Sequence, residues 1–235
     1  MIFRSPFPDL PLPTEPLHAF TLRRAAELGD KPALVDGPSG RTLTYAGLAA
    51  GVERVAANLA ERGLLPGDVV GLFLPNVPEF ALAFYGTLRA GGVVTTLSPL
   101  ATEHDVTLQL QDARAGRLVT VRAFLDRALP AARAVGITEV YVLDHADAGL
   151  PFAALLAPGT PAPALAIDAA ATLAVLPYSS GTTGLPKGVM LTHRNIATNV
   201  LQTLATQHLD ERDSIIAVLP FFHIYGMTVV LTLGL

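Results

Sequence analysis

"DVVGLFLP" (Asp68–Pro75), "VPEFALAFYGTLRAG" (Val77–Gly91) and "VVTTLSP" (Val93–Pro99) follow one another with a single residue between each. The outer two are short apolar runs that read as strands. The middle one brings Phe80, Phe84 and Leu88, with Ala81 and Tyr85 beside them, onto one face at helical spacing, and Gly91-Gly92 ends it. A strand, a helix and a second strand in such close succession predict a parallel pair joined by a crossover helix.

The same alternation continues outward. A helix is expected over Glu103–Ala113, a strand at Arg117–Val121, a helix over Arg122–Ala134 and a strand at Glu139–Asp144. Upstream, Thr44–Gly63 reads as a long helix with Thr44 as its cap and Gly63 as its stop. The fold class is therefore α/β, with layered, mostly parallel sheets flanked by helices. "APGTPAPALA" (Ala157–Ala166) has no periodicity and reads as a linker between a first segment, 1–156, and a second, 167–235. No fixed-period repeat is visible, which argues against a solenoid.

Composition narrows the function classes. The 235 residues are 51% hydrophobic and 15% charged, with a formal net charge of −4, which describes a globular chain with a large core. No basic cluster occurs, so nucleic acid is not an expected partner. Zero cysteines exclude disulfide and thiolate chemistry. The first twenty residues hold five prolines and no apolar stretch of signal-peptide length, so a cytoplasmic protein is expected. Ser214–Leu235 carries no charge and is long enough to span a bilayer, but Pro220, His223 and Gly226 interrupt it. It reads better as a buried strand, Ile215–Leu219, stopped by Pro220 and followed by a buried helix.

The chemistry concentrates in "LPYSSGTTGLPKGVMLTH" (Leu176–His193). From Ser179 to Gly188 there are three glycines, four hydroxyl side chains, one lysine and no acid. Strands are expected at Thr172–Leu176 and Val189–Leu191. Thr192 should then cap a helix whose Ile196, Val200 and Leu204, with Ala197 and Leu201, form the apolar stripe. The stretch is not a Walker loop: counting from Gly181, Pro186 stands where the second glycine belongs, and Gly188 where the metal-binding hydroxyl belongs. Phosphate remains the natural ligand. Gly181, Gly184 and Gly188 permit positive φ, so that successive N–H groups converge on an anion. Ser179, Ser180, Thr182 and Thr183 add hydroxyl donors, and Lys187 adds a mobile positive charge stiffened by Pro186.

This loop resembles the nucleotide-binding loop of the adenylate-forming superfamily of acyl-CoA synthetases, luciferases and adenylation domains. "VLPFFHIYGM" (Val218–Met227) is similar to that family's next motif, and Gly67–Thr102 also resembles it. The likeness is strongest to 4-coumarate–CoA ligases, bacterial ones in particular. The resemblance implies the N-terminal portion of the large domain of such an enzyme. It also implies a cofactor set of ATP, Mg²⁺ and coenzyme A, and a small carboxylic acid, hydroxycinnamate-like or fatty, as substrate. It places Ser179, Ser180, Gly181, Thr182, Thr183, Gly184 and Lys187 on the phosphates. His223 would sit near the acyl carboxylate, and Tyr225 and Gly226 would stand at the acyl pocket. Lys187 and His223 are the expected catalytic groups, and no residue is assigned to a metal.

Family members are much longer. Their acid for Mg²⁺, their ribose-binding aspartate and their C-terminal lysine would lie beyond residue 235, so the expectation is a fragment that is inactive alone. After Tyr225 the sequence reads Gly226, Met227, Thr228 and Val229, where plant coumarate ligases carry serines. A second reading stays open, a shortened paralogue that binds nucleotide or a partner without turnover. His223, a lone histidine in an apolar run, would by position alone be a core residue. "DHAD" (Asp144–Asp147) reads as a turn.

Overall fold

The computed structural model describes residues 5–144, 147–180 and 186–235. Two short helices, α1 (Leu17–Leu22) and α2 (Ala25–Leu28), lead into a hairpin of β1 (Pro32–Val35) and β2 (Thr42–Thr44). Helix α3 (Tyr45–Glu61) begins at Thr44, whose hydroxyl accepts the Gly47 N–H at 3.1 Å. It stops where Gly63 takes a φ of 80°, a left-handed conformation that glycine adopts without strain.

The expected alternation follows: β3 (Val69–Phe73), α4 (Pro78–Arg89), β4 (Val93–Thr96), α5 (Glu103–Asp112), β5 (Ala115–Thr120), α6 (Leu125–Ala134) and β6 (Glu139–Val142). The helix predicted from Arg122 opens with a tight 3₁₀ turn, Arg122–Phe124, and becomes α-helical at Leu125. After β7 (Leu150–Pro151) come β8 (Leu173–Ser180), β9 (Pro186–Gly188), β10 (Leu191–Thr192) and α7 (His193–Leu204). Thr192 and Asn195 close a capping box at the start of α7.

One sheet runs in the order β10-β8-β4-β3-β5-β6-β7, with β9 attached to β8. Strands β3 to β8 pair in parallel, while β9 and β10 run antiparallel to β8. Successive side chains on a strand point to opposite faces, and the core divides accordingly. Val70, Leu72, Val119 and Tyr141 join a cluster with Val52, Val55, Phe80, Phe84 and Ile196, from α3, α4 and α7. Phe73, Leu118 and Val140 join a second cluster with Val106, Leu110 and Ala128, from α5 and α6. Helices thus cover both faces, and full burial of the strands explains why they read as continuous apolar runs. The helix after β3 lies on one face and the helix after β4 on the other. That reversal opens a crevice at the carboxyl ends of these two neighbouring strands.

The stretch predicted as a linker, 157–166, forms no helix or strand but is not loose. Ala162 is buried, and the Arg89 guanidinium donates to the Pro163 carbonyl at 2.8 Å. Strand β8 beyond it lies in the same sheet as β3 to β6.

Two expectations are corrected. Ile215–Leu219 is not a buried strand: Ile216 is 82% and Val218 78% exposed, and the segment has no ladder partner among the described residues. Its backbone is held by a side chain instead. Asn76 donates through Nδ2 to the carbonyls of Ala217 and Leu219 at 3.0 and 2.9 Å, and accepts the Phe221 N–H through Oδ1 at 2.8 Å. Val189–Leu191 is likewise not the outgoing strand. The ladder to β8 forms first at Pro186–Gly188, within the glycine-rich stretch itself, and again at Leu191–Thr192. Among the described residues no helix is long and apolar enough to cross a membrane.

Candidate functional site

Strand β8 ends beside β4, and its last three residues pair with β9: Tyr178 with Gly188, Ser179 with Lys187, Ser180 with Pro186. Directly opposed residues in an antiparallel pair share a face. Ser179 and Lys187 therefore stand together on one side of the hairpin, both exposed, with a hydroxyl and an ammonium available to an anion. Gly181, Thr182, Thr183 and Gly184, also expected at the phosphates, lie outside the described residues. Gly188 is not among the glycines with positive φ, which corrects the conformational role expected of it. A Cβ at Gly188 would come within 3.0 Å of the Tyr178 ring, so glycine is needed there for close approach. The Tyr178 hydroxyl donates to Asp112 Oδ2 at 2.5 Å. Burial and then this hydrogen bond push the phenol above its ordinary pKa.

The second motif sits on the neighbouring strand end. Thr96, the last residue of β4, donates from Oγ1 to the Phe222 carbonyl at 2.7 Å. Together with Asn76 this fixes residues 217–222 across the carboxyl ends of β3 and β4. His223 follows in a turn, its N–H bonded to the Pro220 carbonyl at 3.1 Å. Two positions apart on a regular helix point about 200° away from each other, so an irregular turn was expected over Phe221–Gly226. The turn is present at 221–223 and the helix starts at residue 224, earlier than expected. From Gly226 to Thr232 it widens into a π-helix, a form common at functional sites.

His223 and Tyr225 are both exposed, Tyr225 by 52%. The Tyr225 N–H donates to His223 Nδ1 at 3.2 Å, which leaves the neutral imidazole its proton on Nε2. Gly226 is buried, and a Cβ there would lie 2.1 Å from the Pro220 carbonyl oxygen. Its visible role is to let the helix close on that turn.

Among the described residues no group of three or more histidines, cysteines and carboxylates could hold a metal ion. A groove of about 850 Å³ borders this anchored segment, lined by Asn76, Ala217, Phe20, Tyr45 and Leu231 among others, and none of the expected site residues that are described lines it. Sequence reasoning missed Asn76, Thr96 and Asp112. The signal that was available was position. Asn76 and the end of β4 lie at the carboxyl ends of adjacent strands whose connections leave on opposite faces.

A doubly covered, mostly parallel sheet with a hydroxyl- and lysine-bearing hairpin at its carboxyl edge defines an α/β protein. The chain belongs to the AMP-binding enzyme family, which matches residues 22–235. It is 41% identical over 240 residues to 4-coumarate–CoA ligase 5 of Oryza sativa subsp. japonica, covering all of this chain and 44% of that protein. ATP-bound MatB from Rhodopseudomonas palustris superposes with a TM-score of 0.76 at 32% identity, over 92% of this chain and 43% of that one. A long-chain-fatty-acid-CoA ligase (FadD1) from Archaeoglobus fulgidus, 23% identical over 98% of this chain and 47% of its own, shares the fold with a TM-score of 0.85. The chain spans less than half the length of the curated relatives it matches. Relatives named 4-coumarate–CoA ligase come from plants such as Petroselinum crispum and Humulus lupulus, so the expected leaning toward bacterial members is not supported.

Proposed function

We propose that this chain carries the phosphate-binding and acid-facing part of an ATP-dependent carboxylic acid–CoA ligase of the 4-coumarate type, working in the cytoplasm. The observation that carries the reading is the face shared by Ser179 and Lys187, one strand away from the turn that Thr96 anchors and His223 ends. In the first step a carboxylate oxygen attacks the α-phosphorus of ATP and the bond to the bridging oxygen breaks, giving acyl-AMP and pyrophosphate. In the second, the thiol of coenzyme A loses its proton and attacks the acyl carbonyl; a thioester forms and AMP leaves.

The chain's own groups suit the first step. Negative charge grows on the departing pyrophosphate, and a fixed ammonium with adjacent hydroxyls stabilises it most at that moment. Lys187 and Ser179 act there, with Ser180, Gly181, Thr182, Thr183 and Gly184 completing the cradle. His223, its proton on Nε2, donates toward the acid's carboxylate, while the exposed ring of Tyr225 contributes a wall of the acyl pocket. Mg²⁺ would screen the phosphates when bound.

The test is acid-dependent ATP–pyrophosphate exchange in a protein of the relatives' length that begins with these residues, with a panel of hydroxycinnamic and medium-chain acids. The expected result is exchange that requires an acid, with Tyr225→Phe reordering the aromatic acids while ATP use stays constant. Exchange that ignores the acid, or a Tyr225→Phe variant altered in ATP use alone, would overturn the reading.

A further inference from the structure

The hairpin that presents Lys187 is tied to the body of the protein from its back. Tyr178 and Gly188 face one side of the β8–β9 ladder, and Ser179 and Lys187 the other. On the back side the Tyr178 ring lies against the Gly188 backbone, where a Cβ would come 3.0 Å from Cζ and 3.1 Å from the hydroxyl oxygen. That hydroxyl reaches Asp112 Oδ2 at 2.5 Å, a length typical of an O–H donating to a carboxylate.

Asp112 is the last residue of α5. A negative side chain in that position opposes the helix dipole, so helix stability does not account for an acid there. The helix itself is anchored to β4: Gln109 Nε2 donates to Thr95 Oγ1 at 3.0 Å and to the Thr96 carbonyl at 2.9 Å. An unbroken series of contacts thus runs from the end of β4 through α5, Asp112 and the Tyr178 ring to the backbone beside Lys187.

Resting on the polyphosphate reading of the hairpin, we propose that Asp112 is a positioning residue. By holding Tyr178 against Gly188 it sets the tilt of the β8–β9 ladder, and so the direction in which Lys187 and Ser179 face a triphosphate. Among the described residues β9 pairs with β8 alone, and all its residues are exposed, so a twist of the ladder is resisted by few other contacts. Since adjacent residues point to opposite faces, a small rotation at Tyr178 and Gly188 swings the lysine stem by the same angle.

The experiment measures binding of inorganic triphosphate by calorimetry to the full chain and to Asp112→Asn, Tyr178→Phe, the double variant and Lys187→Ala. Thermal unfolding and backbone hydrogen exchange at Val189 are followed in parallel. The expected result is a roughly tenfold loss of affinity in each single variant, the size of one charge-assisted hydrogen bond, with no further loss in the double variant. Exchange at Val189, whose N–H donates to the Pro177 carbonyl at 2.9 Å, should quicken, while the melting temperature of Asp112→Asn holds or rises because a charge opposing the dipole is gone. A melting temperature that falls in step with the affinity would mean a merely structural role and overturn the proposal, as would wild-type affinity in Asp112→Asn. If wild type and Lys187→Ala bind triphosphate equally, the polyphosphate reading falls on its own. The exchange at Val189 then still decides Asp112: quickened exchange supports its hold on the hairpin, and unchanged exchange refutes it.

Discussion

Thr96 ends β4 with its hydroxyl 2.7 Å from the carbonyl oxygen of Phe222, the residue before His223. A buried threonine on a central strand thereby fixes a segment 126 positions away, and Asn76 on the adjacent strand end makes three more hydrogen bonds to the same segment. Parallel strands put their carboxyl ends on one edge, so the two motifs stand at the ends of neighbouring strands, with no direct hydrogen bond between them among the described residues.

Removing these anchors should loosen the turn and little else. Asn76→Ala strips partners from two carbonyls and one N–H, and Thr96→Val keeps the shape of the side chain while losing its donor. Hydrogen exchange at Phe221 and His223 is expected to quicken by about tenfold or more in Asn76→Ala, with the β8 amides of residues 173–176 unchanged. Unaltered exchange at 221 and 223 would show that the turn is held some other way.

The packing of α3 on α4 depends on a missing side chain. A Cβ at Gly86 would fall 2.5 Å from Val55 Cγ1 and 2.6 Å from its Cβ, closer than any real contact. Gly86→Ala must push the helices apart or force Val55 off its rotamer, at about 1–3 kcal/mol. The melting temperature should drop by several degrees, and Val55→Ala in the same chain should recover part of it. A Gly86→Ala protein that melts with the wild type would contradict the packing described.

One buried histidine and one half-buried histidine make stability depend on pH. His193 accepts the Leu17 N–H at Nδ1, 3.1 Å away, and its Nε2 has no hydrogen-bond partner among the described residues. Burial pushes it down to about 4. His18 is also pushed down to about 4, first by burial and then by the charges of His193 and Arg89. Folded pKa values below the unfolded 6.5 mean that the unfolded chain takes up protons first. The stability from keeping these rings neutral is complete above about pH 6.5, falls as pH drops toward 4, and levels off below that. It amounts to on the order of 1–3 kcal/mol per ring. Unfolding free energy measured from pH 7 to 4 should decline, and His193→Asn, which keeps an acceptor near the Nδ1 position, should flatten the slope. An unchanged slope would contradict the assignment.

The parallel sheet and its helices were legible because burial on both faces leaves an unmistakable record, as in Val69–Phe73 and Pro78–Arg89. The glycine, hydroxyl and lysine content of residues 179–188 was open to view in the sequence, and the proposed phosphate binding rests on it. Ile215–Leu219 misled for a physical reason. An apolar run reports a preference for burial, whereas a strand also requires a hydrogen-bonding neighbour, and here Asn76 takes the backbone groups instead. Gly188 shows the same limit: its sequence neighbourhood fits a positive-φ turn, but its requirement comes from the ring of Tyr178 across the ladder. Asp112 and Thr96 were invisible because their partners lie 66 and 126 positions away.

The central claim is that the face shared by Ser179 and Lys187 binds the phosphates of ATP. Titration of this chain with ATP, inorganic triphosphate and AMP, in parallel with Lys187→Ala, tests it most directly. Triphosphate and ATP should bind the wild type with similar affinity and AMP far more weakly, with Lys187→Ala weakening the first two by about tenfold or more and leaving AMP as it was. Equal binding of AMP and triphosphate, or a Lys187→Ala protein that binds triphosphate as the wild type does, would contradict it.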